Sequence, residues 1–349
     1  MTKEKVVKRA KIIQDLRGFF IERGFLEVTT PALVPTPSLE PYLTPLDTSF
    51  TDARGQIYTG SLITSPEYSL KKLLAAGLAD KIFEIVKVWR GGEALGGLHN
   101  PEFTMIEWYR LTADYRALMT DTEELVNFLA GDEALTYQGE KIDLTRPWPR
   151  LTMAAAWQKY ADLELNNFLE PAKMAELARE RGYQVLASDS FDDLFFKIFL
   201  NEIEPKLTRP ASHPDPALAG EGSHSVSRPL FLYEYPSQMA ALSRLSKSDP
   251  RYAERFELYL GGLELANAFS ELNDPVEQRR RLVEDQETRR RLGKKVYPLD
   301  ESFLSALKNL PDCAGIALGV DRLIMLLTDS QSIDEVIAFP TSELFTNTE

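Results

Sequence analysis

Residues His99–Tyr109 join a polar loop to a strand whose residue types could bind a nucleotide or a cation. Side chains alternate between the two faces of a strand, so Phe103, Met105, Glu107 and Tyr109 are predicted to share one face. A flat ring, a carboxylate and a phenol on one face suit a small cationic ligand that lies beside a stacked base. A plain core is the alternative, although a buried Glu107 would cost several kcal/mol unless it were paired.

The preceding segment predicts the partner strand of a hairpin. Residues 82–90 are predicted to form this strand, and the glycine pairs at 91–92 and 96–97 predict a connecting loop. Arg90 would lie at the mouth of the loop, where its guanidinium can bind phosphate while Phe103 stacks under a purine. An ordinary amphipathic hairpin with a surface arginine is the alternative.

Residues 256–267 predict a second hairpin, because a Gly-Gly pair lies between two apolar runs. The tightest pairing places Glu264 opposite Tyr259 and Glu257 opposite Ala266. Glu257 and Glu264 would then be diagonal neighbours on one face, with Cα atoms about 7–8 Å apart. Mg²⁺ typically binds through one or two carboxylates together with substrate phosphates, so a cation between the two is predicted. Exposed carboxylates would need no cation, which is the alternative.

Residues 315–326 predict a strand of small residues that passes directly into an apolar helix. Small residues let the backbone approach a ligand closely. Arg322, near the start of this helix, could bind phosphate together with the free N–H groups of the first turn.

Together, these segments resemble motifs two and three of the class II aminoacyl-tRNA synthetases, and Gly24–Pro31 resembles motif one. Thr64–Tyr68 and Glu264–Asn267 are similar to the lysyl branch, and within it the chain most resembles the elongation factor P lysine ligases, truncated paralogues of lysyl-tRNA synthetase. The resemblance implies an α+β fold, the class II aminoacyl-tRNA synthetase catalytic domain, with a mixed, mainly antiparallel sheet flanked by helices. It also implies a homodimer formed through motif one.

The resemblance further implies roles for single residues. Arg90 and Arg322 would be catalytic, and the ATP site would comprise Arg90, Glu93, His99, Asn100, Phe103, Glu264, Leu265, Gly319 and Arg322. Mg²⁺ would be coordinated by Glu257 and Glu264. The amino-acid pocket would comprise Ser65, Pro66, Glu67, Glu107, Tyr109, Asn267, Glu271 and Ala317. A lysine ammonium carries three donors and a full charge, so a desolvated pocket for it needs carboxylates, which agrees with this assignment.

The implied reaction is ATP-dependent activation of lysine as an aminoacyl-adenylate, followed by transfer to the ε-amino group of a lysine on elongation factor P. Ala317 stands where lysyl-tRNA synthetases tend to have Gly and these ligases have Ala, and the ligases favour (R)-β-lysine. One methyl discriminates by only about 1–3 kcal/mol. Motif two usually has one residue between its Arg and Glu, whereas two glycines separate Arg90 from Glu93.

Two alternatives come from other functional classes. A free-standing lysyl-type synthetase or ligase that charges tRNA, a carrier protein or a small amine would keep the same adenylation site. A non-catalytic regulatory paralogue would keep the fold alone.

Chain length and composition limit the possible domain organisation. The motifs span the 349 residues, which predicts a single catalytic domain over 1–349, with no room for an anticodon-binding domain before motif one. A flexible insertion is predicted at 205–229, between a helix ending near Glu202 and a strand starting at Leu230. His213 and His224 within the insertion are expected to be loop residues and not ligands.

Charge and cysteine content bear on partners and compartment. Forty basic and fifty-three acidic residues give a net charge of −13, which disfavours broad binding to a phosphate backbone, so no tRNA partner is expected. The basic residues 278–295 are interpreted as the solvated face of a charged helix, and a basic patch is the alternative. The single Cys313 and the charged residues 1–20 predict a cytoplasmic protein with no membrane partner.

Overall fold

The computed structural model describes residues 1–131, 135–208 and 227–345. The strands are β1 (Leu26–Glu27), β2 (Leu33–Val34), β3 (Asp47–Thr51), β4 (Ile57–Leu62), β5 (Lys81–Trp89), β6 (Glu102–Leu111), β7 (Leu135–Tyr137), β8 (Glu140–Ile142), β9 (Arg150–Thr152), β10 (Leu230–Pro236), β11 (Tyr252–Leu260), β12 (Leu263–Ser270) and β13 (Cys313–Gly319). The helices are α1 (Lys3–Glu22), α2 (Glu67–Ala75), α3 (Tyr115–Ala130), α4 (Met153–Ala161), α5 (Pro171–Glu180), α6 (Phe191–Ile198), α7 (Glu204–Thr208), α8 (Pro275–Arg291), α9 (Glu301–Ala306), α10 (Val320–Leu327) and α11 (Thr341–Leu344).

The chain divides into two compact units. The first consists of Met1–Asp114 and Glu271–Glu349, and the second of Tyr115–Ser270. The single catalytic domain over 1–349 stays a prediction. Among the described residues, no helix is long and apolar enough to cross a membrane.

The first unit contains the predicted β5–β6 hairpin. These strands pair antiparallel from Trp89 opposite Glu102 to Lys81 opposite Arg110, β13 pairs antiparallel with β6, and β1 pairs parallel with β5. The α1 helix covers one face of this sheet, where the Phe20 ring lies 5.1 Å from the Phe83 ring and 4.9 Å from the Trp108 ring. Since residues alternate along a strand, Glu107 and Tyr109 are left on the opposite face. A separate sheet has the order β2-β4-β3.

The second unit contains antiparallel strands β10, β11 and β12, with β9 parallel to β10. Helices α4, α5 and α6 form its core together with buried residues of β10 and β11, and the Trp157 and Phe195 rings lie 4.9 Å apart. Each unit therefore has a mixed, mainly antiparallel sheet flanked by helices, which confirms the predicted fold class.

Helix α8 holds most of the basic run. Arg280 and Arg290 are exposed and form ion pairs with glutamates of the same helix, as expected for a solvated face. Arg289 contradicts this interpretation, because it is 1% exposed and donates to the backbone carbonyls of Glu40 and Leu43. The buried guanidinium therefore anchors the residue 40–43 segment.

The helix before the insertion continues beyond Glu202, so its predicted end was too early. A π-type turn over Phe199–Ile203 leads into α7, which ends at Thr208. Pro205 is the second residue of α7 and lies directly after the π-type turn. Strand β10 begins at Leu230 as predicted. Residues 209–226, with His213 and His224, lie outside the described residues.

Candidate active site

Three buried glutamates converge in the first unit. Glu67 begins α2, Glu107 lies in β6 and Glu271 follows β12, and their exposed fractions are 8%, 1% and 1%. Glu107 accepts hydrogen bonds from the Ser65 hydroxyl at 2.6 Å and from the Tyr109 hydroxyl at 2.9 Å. We call these three glutamates with Ser65 and Tyr109 the acid pocket.

Lys71 is the cation within this pocket, and sequence analysis missed it. It lies one helical turn after Glu67, its side chain is fully buried, and its ammonium donates to Glu67 at 2.5 Å and forms an ion pair with Glu271. Acid and base at positions i and i+4 of a helix face each other, so this spacing was a signal that could have found it. Lys71 thus pairs with two of the three buried carboxylates, and the third, Glu107, accepts from the hydroxyls of Ser65 and Tyr109.

Burial and mutual repulsion shift the pocket's titration. Burial raises the pKa of Glu107 to about 8, and the Glu67 charge adds to the rise, against the hydrogen bonds from Ser65 and Tyr109. Burial also raises the pKa of Glu271, although Lys71 opposes the rise. Burial opposes the charge on Lys71, but Glu271 and Glu67 outweigh it and raise the lysine pKa. With its carboxylates ionised, the pocket would therefore hold more negative charge than its own cation balances, and the raised pKa values follow from burial and from this excess.

The wall formed by β13 is shaped for this pocket. Gly315 pairs with Tyr109 and Ala317 pairs with Glu107. A Cβ at Gly315 would lie 2.0 Å from Tyr109 Cε1 and 2.5 Å from Glu271 Oε1, so the position requires glycine. Glu271 Oε1 is buried and accepts no hydrogen bond from the described residues. A donor supplied by a ligand, such as an ammonium group, would fit this atom.

The face predicted for β6 is confirmed. Phe103 and Met105 pack in a small apolar cluster with Val88 and Ala317, and Glu107 continues the same face. The Arg90 guanidinium lies 5.2 Å from the centre of the Phe103 ring. Its Nε is buried and makes no hydrogen bond within the described part of the chain. This orphaned donor beside an aromatic ring fits a nucleotide phosphate.

Arg322 lies in the first turn of α10, which follows β13 directly as predicted. Its Nη2 is 3.2 Å from His99 Nε2, and the same His99 nitrogen is 3.6 Å from the Glu93 carboxylate. Gly319 is the N-cap of α10 and supplies no side-chain cap. Glu93, His99 and Arg322 therefore lie together at the β5–β6 loop, despite the additional glycine in that loop.

Asp321, beside Arg322, fixes this turn. Its buried carboxylate accepts from the Thr104 backbone N–H at 2.6 Å and from Arg9 of α1 at 2.5 Å. Asn100 has a structural partner on each side, since its amide nitrogen donates to the Glu102 carbonyl and its oxygen accepts from the Thr341 N–H. The adenine contact expected of Asn100 stays a prediction.

Pro66 is the N-cap of α2, and Ser65 before it also accepts from the Glu67 N–H at 3.1 Å. A cleft opens beside Ser65 in the first unit. Its lining comprises residues 34–38 together with Ile63, Ser65, Tyr68, Ser69, Lys72, Asp300 and Ser302. These residues give the surroundings of the acid pocket a polar opening.

In the second unit, the pairing of β11 with β12 differs from the predicted register. Tyr259 lies opposite Glu264 as predicted, but Glu257 lies opposite Asn267 and not opposite Ala266. The reason is a bulge, because Leu265 has no partner on β11, and one extra residue reverses the parity of the strand beyond it. The bulge brings Asn267 to the face that carries Glu257.

Glu257 has its own counter-charge. Its carboxylate accepts from Arg255 Nη2 at 2.7 Å and from the Tyr259 hydroxyl at 2.9 Å. Arg255 also lies 4.3 Å above the Tyr235 ring and donates to Asn267 Oδ1 at 3.2 Å. These contacts fix the carboxylate on the face that Glu264 shares.

Two carboxylates on one strand pair fit a Mg²⁺ ion that takes its other ligands from phosphates and water. No group of three or more His, Cys, Asp and Glu side chains able to hold a metal occurs among the residues that the structure describes. The residues present thus suit a metal that arrives with a nucleotide and do not form a complete protein cage.

Comparison with known proteins identifies the family. Residues 1–343 match the family model of tRNA synthetases class II (D, K and N). The elongation factor P–(R)-β-lysine ligase of Haemophilus ducreyi is 38% identical over 96% of this chain and 93% of that protein. The corresponding ligase of Proteus mirabilis is 36% identical over 96% of this chain and 94% of that protein.

Lysine–tRNA ligases match as well, but over a smaller part of their length. The enzyme of Moorella thermoacetica is 36% identical over 97% of this chain, which spans 65% of that relative. The matched relatives therefore include both predicted branches of the lysyl group. On the family model and these identities, the chain belongs to the class II tRNA synthetase family of the D, K and N type.

Proposed function

We propose that this protein is an ATP-dependent, AMP-forming ligase that activates lysine, as (R)-β-lysine, and transfers it to the ε-amino group of a lysine on elongation factor P. The observation that carries the proposal is the acid pocket. Three buried carboxylates, of which two pair with a single lysine, suit an amino acid that has two ammonium groups.

Glu67 would receive the amino group nearer the substrate carboxylate, and Glu107 and Glu271 would receive the distal ammonium. The distal group would donate to the orphaned Glu271 Oε1. Ala317, opposite Glu107 on β13, adds a methyl to this wall. The choice of (R)-β-lysine rests on that methyl and on relatives at 36–38% identity that bear the name of (R)-β-lysine ligases.

Activation joins two anions. A carboxylate oxygen of the amino acid attacks the α-phosphorus of ATP, the bond to the β-phosphate bridging oxygen breaks, and pyrophosphate leaves. Arg90 and Arg322 would neutralise the phosphates and hold them in line, so no protein nucleophile is needed. Mg²⁺, when bound through Glu257 and Glu264, would supply further charge neutralisation. Phe103 would support the adenine.

Transfer follows from the mixed anhydride. The acceptor amine attacks the activated carbonyl, AMP leaves with the C–O bond electrons, and the amine loses a proton as the amide forms. The chain's part in this step is to hold the adenylate, with the ammonium groups fixed in the acid pocket.

ATP–pyrophosphate exchange with α-lysine, (R)-β-lysine and a panel of other amino acids tests the proposal. Exchange with (R)-β-lysine above α-lysine, and with neither arginine nor leucine, is expected. Glu264→Gln should abolish exchange and leave the fold intact, whereas Glu284→Gln on the exposed face of α8 should leave exchange unchanged. Absence of exchange with every amino acid would favour a non-catalytic paralogue.

The acceptor needs a separate assay. Purified elongation factor P and lysine tRNA are offered to the protein with labelled amino acid and ATP, and label is expected on elongation factor P alone. Label on tRNA would support the alternative of a free-standing synthetase. The sequence identity to the Moorella thermoacetica lysine–tRNA ligase is the reason to test this alternative. Label on a small amine would support the third acceptor class.

We further propose a cytoplasmic homodimer formed through motif one. Apolar side chains on α1 and β1 are exposed, namely Val6, Val7, Ile21 and Leu26, and a second copy would cover them. The single cysteine, Cys313, is buried and has no second cysteine in the chain with which to form a disulfide, as suits a reducing compartment. Sedimentation equilibrium should give twice the 39.5 kDa chain mass.

A further inference from the structure

Lys71 is buried without being part of the proposed chemistry. None of its side chain is exposed, and a buried ammonium is costly unless it is paired. Its two partners are Glu67, one turn earlier in α2, and Glu271. A leucine or methionine would fill the same space without any need for a counter-charge, so the charge itself requires an explanation.

The charges around Lys71 are few and can be counted. Glu67 faces it from its own helix, and Glu271 faces it from the segment after β12. Glu107 of β6 is the third carboxylate of the acid pocket, where burial and the charges of Glu67 and Glu271 raise its pKa and the Tyr109 hydroxyl donates to it. From α9, the Phe303 ring lies 6.0 Å from the Lys71 ammonium. When all three carboxylates are ionised, three carboxylates less one ammonium leave two negative charges.

The neighbouring charged groups have their partners outside the acid pocket, so they are not counted as part of it. Lys72 pairs with Asp300 at 2.6 Å, so that pair is neutral by itself. Glu84, opposite Glu107 in the β5–β6 register, accepts from the Thr30 backbone N–H at 2.7 Å and from its hydroxyl at 2.8 Å. The acid pocket therefore has two negative charges that only a ligand or protons can balance.

We propose that Lys71 is a specificity-determining residue that sets the net charge of the acid pocket to minus two, so that the pocket accepts amino acids with two ammonium groups and rejects those with one. This inference rests on the proposed function. An amino acid with one ammonium leaves a carboxylate unmatched, and an unmatched buried carboxylate is protonated or expels the ligand.

Removal of the Lys71 charge should change the proton balance of binding. A nearby cation favours an ionised carboxylate, so its loss makes Glu271 hold its proton to higher pH. A ligand ammonium must then displace more protons. A residue that only filled space would leave both the pH profile and the proton release unaltered.

Isothermal titration of L-lysine and norleucine tests this between pH 6 and 9, in buffers of different ionisation enthalpy. The variants are Lys71→Met, which keeps the length and removes the charge, and Lys71→Arg, which keeps the charge. Lys8→Met is the matched control, because Lys8 forms an exposed i,i+4 pair with Glu4 of α1.

For Lys71→Met at pH 7, we expect the Kd of lysine to rise by about tenfold or more, with recovery towards pH 9. More protons should be released per lysine bound than in the wild type. Lys71→Arg and Lys8→Met should keep the wild-type proton release.

An unchanged pH profile and proton release in a folded Lys71→Met protein would overturn the inference while leaving the proposed function standing. If neither Lys71 variant folds, the affinities of the wild-type protein for lysine and norleucine provide the test. Norleucine binding as tightly as lysine would overturn the inference. If the folded wild type binds neither lysine nor (R)-β-lysine, the proposed function itself fails.

Discussion

Both units bury glutamates beside tyrosines, but the two clusters differ in how their charge is balanced. In the first unit, Lys71 pairs with two of the three carboxylates of the acid pocket, Glu67 and Glu271. In the second, Glu257 pairs with Arg255 of the same strand at 2.7 Å, and Arg255 also donates to Asn267 of β12. A buried carboxylate without a cation beside it can receive a ligand ammonium, whereas a carboxylate that is paired with a buried arginine is already neutralised. An excess of buried carboxylates over buried cationic side chains therefore indicates the binding pocket, whereas buried carboxylates alone do not.

A single strand pair repeats this contrast. Glu84 and Glu107 lie directly opposite each other on β5 and β6, and burial raises the pKa of both. Glu84 uses both oxygens to bind Thr30, in the segment after β1. Glu107 accepts only from Ser65 and Tyr109, which are themselves part of the pocket. Glu84 is a structural carboxylate, and Glu107 is available to a ligand.

The largest effect is expected from Glu107→Gln, which removes one of the carboxylates of the acid pocket. Glu107→Gln removes one partner of a buried ammonium, which typically costs about 3–5 kcal/mol, so kcat/KM for lysine in exchange should fall by about a thousandfold. The KM for ATP should be unchanged. Thermal stability should hold or increase, because the variant relieves repulsion. A large loss of stability would contradict the contrast between the two clusters.

Loss of a charge from the Glu257–Arg255 pair should instead lower the stability of the fold. Arg255→Met leaves Glu257 buried without a cation, so the free energy of unfolding should fall by about 3 kcal/mol. Denaturant unfolding measures this. Arg251→Met is the control, because Arg251 directly precedes β11 and forms an exposed ion pair with Asp249. This variant should leave the unfolding midpoint nearly unchanged. Equal losses in the two variants would contradict the assignment of Arg255 as a buried counter-charge.

Gly315→Ala tests the shape of the acid pocket without changing its charge. The new methyl meets Tyr109 and Glu271, and overpacking of this kind costs about 1–3 kcal/mol, so the KM for lysine should rise by about 10- to 100-fold. Gly18→Ala in α1, with nothing within 4 Å, is the control and should leave exchange unchanged. Unaltered lysine kinetics in Gly315→Ala would show that the wall is not in contact with substrate.

The smallest expected effect is that of a change of one pH unit. With the pKa of Glu107 at about 8, the KM for lysine should fall by about tenfold per pH unit from pH 6 to 8 and then level off, because the ionised carboxylate binds the ammonium. A raised pKa in the folded state stabilises the fold at low pH, and this contribution is lost as pH rises from the ordinary value of 4.5 through about 8. Glu107→Gln should therefore flatten both profiles, and a KM that rises with pH would contradict the assignment.

Much of the fold and site could be predicted because the signals are local. The alternation along β6 predicted the shared face of Phe103, Met105, Glu107 and Tyr109, and the β5–β6 and β11–β12 hairpins formed where their glycines indicated. The family resemblance rested on motifs spread along the chain. Strand alternation and turn residues depend on neighbouring residues, so the sequence predicts them wherever no bulge interrupts the strand.

Other features depended on contacts that a sequence does not display. A bulge at Leu265 changed the partner of Glu257, because a single unpaired residue is decided by packing on both faces of the sheet. The i,i+4 spacing of Glu67 and Lys71 was visible, but its burial against Glu271, two hundred positions along the chain, was not. The need for glycine at position 315 likewise became clear only from the closeness of Tyr109 and Glu271.

By itself, the sequence determined which residue types the site would use and on which faces of its strands they would lie, since alternation and turn chemistry act between neighbours. The tertiary structure alone decided the charge balance. Burial removes the water that would screen each carboxylate, and only the folded chain shows that Glu67 and Glu271 pair with Lys71 while Glu257 pairs with Arg255.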